Sequence, residues 1–397
     1  MKRFLTKKTL SAILLLLVPV LLLGACRGIR LYWLKQPPAS FPLALSWTVD
    51  LGRATYERPA YLEGLVFMPA DSWFQSQWYG LEAATGEVVW SRNAGKAPGR
   101  YNFRRCLTAE YLVISGQLSL YVLEPQTGSL IWGGNSEEGG HRASTATCTK
   151  EAIVIGNPRN PLYAFSISTG NPLWTTRNIE TNLDNPVYNP TADEIIAYGL
   201  EGILNTLDAK QGTLIRSFQR VATPPYEQWR GSMYVVDEGQ LFLGGTVLDA
   251  TTGEVLHKED QYQTLVPPTL YGDTIYISSN REGIIALDRS SFKVKWIYQP
   301  QPKNSWFPLI ALSQVAILDE VGYVIFSDAT LRAFDIETGQ ALGYWQPPTM
   351  DLWNWPICMP PVVLGCNEVT KVGLTTSDDT LFVSFGDGKL YAFRKSP

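Results

Sequence analysis

The chain has 397 residues, 45% hydrophobic and 18% charged, with 13 Trp, 19 Tyr and 15 Phe. That is enough for a large buried core, in one or two ordinary domains or in one repeat architecture. The formal charge is −4, and because Lys2, Arg3, Lys7 and Lys8 are the only charges in the first 25 residues, the remainder carries −8. A mildly acidic body with scattered Lys and Arg argues against nucleic acid, since phosphate binding needs a clustered basic face. Two distant histidines, His141 and His257, argue against a histidine-rich metal site.

In chain order, the N-terminus comes first. "MKRFLTKKTLSAILLLLVPVLLLGAC" places four basic residues before an apolar run from Leu10 to Ala25 and ends at Cys26. Basic, apolar, then small residues is the plan of a secretory signal. Leu23-Gly24-Ala25-Cys26 resembles a bacterial lipobox, and the resemblance makes Cys26 the lipid-bearing residue of a membrane-tethered lipoprotein. The other reading is an uncleaved helical anchor. The apolar run is shorter than the roughly 20 residues that span a bilayer, and Pro19 interrupts it. Both readings put the body outside the cytoplasm. Residues 1–25 are thus expected to be the signal or anchor, 26–42 a linker and 43–397 the folded domain.

Beyond the linker one phrase recurs: "YGLEAATGEVVW" (Tyr79–Trp90), "YVLEPQTGSLIW" (Tyr121–Trp132) and "YAFSISTGNPLW" (Tyr163–Trp174). Its glycine position falls at Gly86, Gly128, Gly170, Gly212, Gly253, Phe292 and Gly339, at intervals of 42, 42, 42, 41, 39 and 47. Four residues earlier stands an acid, except for Ser166. Four residues later stands Trp90, Trp132, Trp174, Arg216, His257, Trp296 or Gly343. A fixed period near 42 signals an array of one supersecondary unit. Short apolar or alternating runs such as "YLVISG" and "SLYVLE", with turn residues between them and no helical period, make that unit four strands. The acid and Thr can bond local backbone N–H groups, and glycine supplies the positive φ that the turn needs.

Seven phrases give seven blades, and two fragments remain. "LSWTVDLG" (Leu45–Gly52) matches an outer strand with nothing before it. "DTLFVSFGDGKLYAF" (Asp379–Phe393) matches two central strands with no outer strand after them. Joining them closes the ring and hides both sheet edges. The expected fold is all-β: an eight-bladed β-propeller of four-stranded antiparallel blades, closed by the N-terminal strand and monomeric.

Apart from Cys26, four cysteines remain, which suits two disulfides in an oxidising compartment. Cys358 and Cys366 flank a short loop. Cys106 and Cys148 lie one repeat period apart, so pairing them requires neighbouring units to come within disulfide reach.

These residues carry a resemblance. The "AxDxxTGxxxW" form, matched at several positions by "LRAFDIETG" and "IIALDRSSFKVKW", resembles the tryptophan-docking repeat of pyrroloquinoline-quinone (PQQ) quinoproteins and their non-enzymatic relatives, from Leu45 to Phe393. It implies that Trp47, Trp90, Trp132, Trp174 and Trp296 pack between blades, and that the departures at Arg216, His257 and Gly343 mark looser seams.

Two functions compete. One is a PQQ-dependent dehydrogenase, which would need a Ca²⁺ cluster of six to eight oxygen ligands for its quinone, or else a small-ligand-binding propeller; Asp208, Asp249, Asp288 and Asp335 instead read as turn-capping residues. A propeller lipoprotein with this repeat is also similar to the propeller subunit of the bacterial outer-membrane β-barrel assembly machinery. That resemblance implies a non-catalytic scaffold without cofactor or metal, holding protein partners in the cell envelope. Candidate partner-binding residues are Trp306 and Phe307 in "QPQPKNSWFP", with Trp345, Trp353 and Trp355 in "WQPPTMDLWNWPICMPP". Both stretches read as proline-braced connections on one face. The same tryptophans could instead fold back over the last blades.

Overall fold

Continuous burial along the central strands sets the architecture. Val66, Phe67 and Met68, or Ile284, Ile285 and Ala286, are buried on both faces of their sheets, as expected of strands packed between neighbouring blades. The computed structural model describes residues 40–52, 58–71, 76–93, 104–116, 119–135, 145–157, 160–176, 183–199, 203–218, 234–243, 245–258, 264, 266–279, 282–300, 309–348 and 372–395. Together they form eight four-stranded antiparallel sheets. Blades 1 to 7 span 60–93, 104–135, 145–175, 183–218, 234–258, 269–298 and 316–345, and each is four strands in sequence order, a to d. Blade 8 takes strands a to c from 373–395 and its strand d from Leu43–Asp50. No helix among the described residues is long and apolar enough to cross a membrane.

The closing strand runs antiparallel to Lys389–Lys395, pairing Leu43 with Lys395 at one end and Asp50 with Lys389 at the other. Packing begins before it. The Phe41 ring meets Tyr323 of blade 7 and Phe393 of blade 8 edge-on, with centroids 5.9 and 5.8 Å away. The final residues of the expected linker therefore belong to the seam between blades 7 and 8.

Antiparallel order fixes two faces. The a–b and c–d turns open on one, here the turn face. The b–c hairpins and the d-to-a connections between blades open on the other, the loop face.

The repeated phrase is the c–d turn. Its Gly N–H donates to the carbonyl of the residue four earlier, as in Gly128 to Glu124 (2.9 Å) and Gly339 to Asp335 (2.9 Å). The acid closes the same turn. Asp335 Oδ1 accepts the Thr338 N–H and hydroxyl, each at 2.8 Å, and Asp249 Oδ1 accepts the Thr251 and Thr252 N–H at 2.8 and 2.7 Å.

Each docking tryptophan then crosses to the next blade, where its indole N–H meets the carbonyl just after that acid position. Trp47 donates to Ala83 (3.2 Å), Trp90 to Pro125 (2.8 Å), Trp132 to Ile167 (2.7 Å), Trp174 to Ala209 (3.1 Å) and Trp296 to Ile336 (3.1 Å). The rings lie where a Cβ on Gly86, Gly128, Gly170, Gly212 or Gly339 would stand. A glycine here serves close approach as much as φ.

The three expected loose seams are filled differently. Phe218, two residues beyond Arg216, covers Gly253, while Arg216 turns to an ion pair with Glu194. His257 stacks on Phe292 with centroids 5.0 Å apart, and Arg289 ties that seam to Asp237 at 2.8 Å. At Gly343 the backbone of Ser40 occupies the docking slot, and Trp345 packs into blade 8.

Candidate functional site

The sites expected from sequence distribute unevenly. Cys106 and Cys148 are joined, with Cα atoms 5.8 Å apart, and staple the innermost strands of blades 2 and 3. Cys26, Cys358, Cys366, His141, Trp306, Phe307, Trp353 and Trp355 lie outside the described residues.

Trp345 was expected on a connection and is instead the last residue of a strand, Ala341–Trp345. Its half-buried ring meets Tyr391, Phe393 and Phe385 of blade 8 at 5.2, 4.9 and 5.8 Å. The physical reason is strand periodicity. Trp345 lies two residues after Gly343, so it points to the same seam, and the glycine there leaves room for it.

The connections carrying the other candidate aromatics run from 299 to 315 and from 346 to 372, so they start and end on blades 6, 7 and 8. The described b–c hairpins of blades 7 and 8 are built on a phrase that sequence reading passed over. "FSDATLRAF" (326–334) and "FGDGKLYAF" (385–393) align residue for residue across the b–c hairpins of blades 7 and 8.

In each hairpin the aspartate bonds the side chain four residues on. Asp328 Oδ2 accepts from Arg332 at 2.8 Å, and Asp387 Oδ2 accepts the Tyr391 hydroxyl at 2.6 Å. The Arg332 guanidinium also lies over the Phe326 and Tyr344 rings, 5.6 and 5.4 Å from their centroids. Tyr298, ending strand d of blade 6, stacks on Phe334 at 5.2 Å, as Trp345 packs on Phe393 one blade later.

Burial and local partners set the charge of these hairpin groups. Burial pushes the Asp387 carboxyl up, against the opposing hydrogen bond from Tyr391. Burial and then Asp387 push the Tyr391 phenol far up. Burial works against the Arg332 charge, but Asp328 and Tyr298 together outweigh it and push its pKa up. The Thr330 hydroxyl also donates to Asp328 Oδ1 at 2.6 Å, so each aspartate is held by side chains of its own hairpin.

A quinone with Ca²⁺ would need converging oxygen ligands. The turn acids do not fit that demand. The Thr252 N–H holds Asp249 low, the Ser291 hydroxyl holds Asp288 very low, and the Thr338 hydroxyl holds Asp335 low, each within its own turn. Among the described residues no three His, Cys, Asp or Glu side chains converge as a metal site would require.

Eight blades, seven of them carrying this c–d turn, define a PQQ-type repeat propeller. Residues 44–217, 119–245 and 200–349 match the family described as outer membrane protein assembly factor BamB, and the chain belongs to that family. A search of curated proteins finds no match.

Among solved structures, BamB from Moraxella catarrhalis is 16% identical with a TM-score of 0.63, over 89% of this chain and 99% of that one. The quinohemoprotein alcohol dehydrogenase from Comamonas testosteroni is 13% identical with a TM-score of 0.61, over 89% and 76%. A europium-containing methanol dehydrogenase is 12% identical with a TM-score of 0.62, over 89% and 93%. At such identities the likeness concerns the fold alone.

Proposed function

We propose that this chain is a non-catalytic, extracytoplasmic propeller, tethered to a membrane through lipid on Cys26, which holds protein partners during envelope or outer-membrane protein assembly. Membership of the BamB family over 44–349 carries the reading. The turn chemistry supports it, because the repeated acids are consumed in folding the c–d turns. On this reading the ring is monomeric and works without cofactor. Trp306, Phe307, Trp353 and Trp355 serve as partner contacts.

The test is genetic and biochemical. Deleting the gene in its own cells should lower the level of outer-membrane β-barrel proteins, and the tagged full chain should co-purify with envelope proteins. Unchanged barrel levels with no co-purifying protein would sink the proposal.

The likeness to the two dehydrogenase structures favours a second reading, a PQQ-dependent oxidoreductase. Reconstitution with PQQ and Ca²⁺ separates the two: quinone retained at one per chain after gel filtration, with alcohol-dependent dye reduction, would promote the enzyme.

A further inference from the structure

Every blade ends on an outer strand with no sheet neighbour beyond it. Such an edge is a template for another chain unless a charge, a proline or a covering segment blunts it. Seven of the eight are blunted. Strand d carries Arg92 in blade 1, Pro172 in blade 3, Arg216 in blade 4, Lys258 in blade 5, Lys295 in blade 6 and Asp50 in blade 8. In blade 7 the Ser40 backbone lies against Gly343.

Blade 2 has none of these devices. Its strand d, Leu130–Asn135, reads LIWGGN, with neither charge nor proline. Leu130 and Ile131 are 41% and 40% exposed, and a side chain added at Gly134 would meet nothing within 4 Å. Exposed apolar pairs open strand d in other blades too, such as Val88 and Val89 or Leu214 and Ile215. The missing charge is what sets this edge apart.

A groove of about 510 Å³ adjoins the start of the same strand. Glu110 and Tyr111 line it from the a–b turn, Glu124 and Gln126 from the c–d turn, and Ser129 and Ile131 from the edge. In blades 4 to 7 an acid of the turn face is answered within the chain. Lys210 pairs with Asp193, Arg289 with Asp237, Lys295 with Asp273 and Lys395 with Asp319, at 2.8 to 3.0 Å. Among the described residues Glu110 and Glu124 have no such partner. The Glu124 side chain accepts the Thr127 hydroxyl at 2.5 Å, and Arg92 of blade 1 donates to the Gly128 carbonyl at 3.4 Å. Two exposed carboxylates beside a half-buried tyrosine ring suit a cation.

We propose that the outer edge of blade 2 docks an extended segment of a partner protein, which adds a strand beside Leu130–Asn135 and seats a lysine or arginine in the groove of Glu110 and Glu124. The proposal rests on the scaffold reading above and deepens it, at a place apart from the connections that carry Trp306 and Trp353.

Strand addition supplies backbone hydrogen bonds, and a pocket beside the edge supplies selectivity. Antiparallel pairing continues the pattern of the sheet. It carries the C-terminal part of the segment past Leu130 and Ile131, where the groove lies. A second copy of the chain fits less well, because its own LIWGGN edge brings no basic residue to the groove.

The test titrates the full chain against a fluorescent peptide of about ten residues, long enough to run along the edge strand. The peptide alternates Thr and Val and carries one lysine near its C-terminus. Binding, read by anisotropy, should saturate and should weaken as salt rises. Gly134→Lys should weaken it about tenfold by placing a charge on the edge. Glu110→Lys should weaken it about threefold to fivefold, the range of an exposed ion pair. A peptide with glutamate in place of its lysine should lose at least as much. Both variants should melt with the parent, since both positions are exposed.

Equal binding by the parent and Gly134→Lys, or by the two peptides, overturns the proposal, and so does the absence of saturable binding. Sedimentation scores the remaining occupant. Self-association of the parent that Gly134→Lys abolishes would assign the edge to a second copy and overturn the partner segment. Co-purification of envelope proteins with the full chain is scored separately. If it persists without peptide binding, this site falls and the scaffold reading stands.

Discussion

Trp90 of blade 1 donates its indole N–H to the carbonyl of Pro125 in blade 2 at 2.8 Å, and its ring covers the place where a side chain on Gly128 would start. One residue thus locks the neighbouring blade and forbids a Cβ in that blade's turn. Trp90→Ala should cost about 3–5 kcal/mol, the range for truncating a buried tryptophan. Gly128→Ala should also destabilise strongly, because it meets the ring at a φ of 67°. Chemical denaturation measures both. A Gly128→Ala variant as stable as the parent would mean that the seam is not closed by this contact.

The seam between blades 5 and 6 makes the converse exchange. Phe292 holds the glycine position at a φ of 56° and stacks on His257, whose Nε2 has no hydrogen-bond partner. His257→Trp alone should destabilise, since the larger ring has no room above Phe292. Adding Phe292→Gly should rebuild the arrangement of the other seams. A double-mutant cycle should then give a favourable coupling of about 1–3 kcal/mol, as for residues sharing one packing site. Additive effects of the two changes would reject this account.

Much of this was legible because it is local. The turn phrase uses residues within four positions of each other, and its period counts the blades. The orphan strand Leu43–Asp50 announces closure because an edge strand without a partner is costly. What could not be read was which strand-d residue docks. Residues two apart on a strand face the same way, so the seam contact passes from Arg216 to Phe218, and from Gly343 to Trp345, with no change in pattern. The Asp328–Arg332 and Asp387–Tyr391 hairpins were missed for a different reason. Their shared phrase occurs in two blades, so the period that reveals the turns does not reveal them.

The Cys106–Cys148 bond encloses one full repeat, a separation of 42 residues. Loop-closure entropy for that length puts its contribution at about 4 kcal/mol. Replacing both cysteines by Ser should lower stability by up to that amount while the ring still closes, as the hydrogen-bonded blades on either side do not depend on it. Small-angle scattering with thermal melts checks both halves of the prediction. A lost or opened ring would show that the staple is needed for the fold itself.

Acid should act first on the turns. Asp335 and Asp249 have folded pKa values below the usual carboxylate value of about 4. A lowered folded pKa contributes stability above the unfolded value, and that stability fades as pH falls through the folded one. Melting temperature should therefore hold from neutral pH down to about 4 and then drop. Asp335→Asn should flatten part of the drop, by under about 1 kcal/mol because the turn is exposed. Asp387 has the opposite sign. Its pKa is raised by burial, so its charged form opposes folding as pH rises through that raised value. Asp387→Asn keeps an acceptor for Tyr391 and should leave stability at neutral pH unchanged or higher. A clear loss there would reject the burial argument.

Gly343 offers the sharpest contrast between pattern and structure. The repeat would place tryptophan there, as at positions 90, 132, 174 and 296, so a consensus argument favours Gly343→Trp. In the folded ring the slot already holds the Ser40 backbone, and the glycine sits at a φ of 139°. The substitution should therefore destabilise, by evicting the segment that leads into the closing strand and by straining position 343. The cost should shrink when residues up to 42 are removed, because the clash goes with them, although that deletion has its own cost through Phe41. Denaturation of the four chains, with and without the deletion and the substitution, gives the coupling directly. If Gly343→Trp stabilises the intact chain, the N-terminal segment does not occupy the seam in solution.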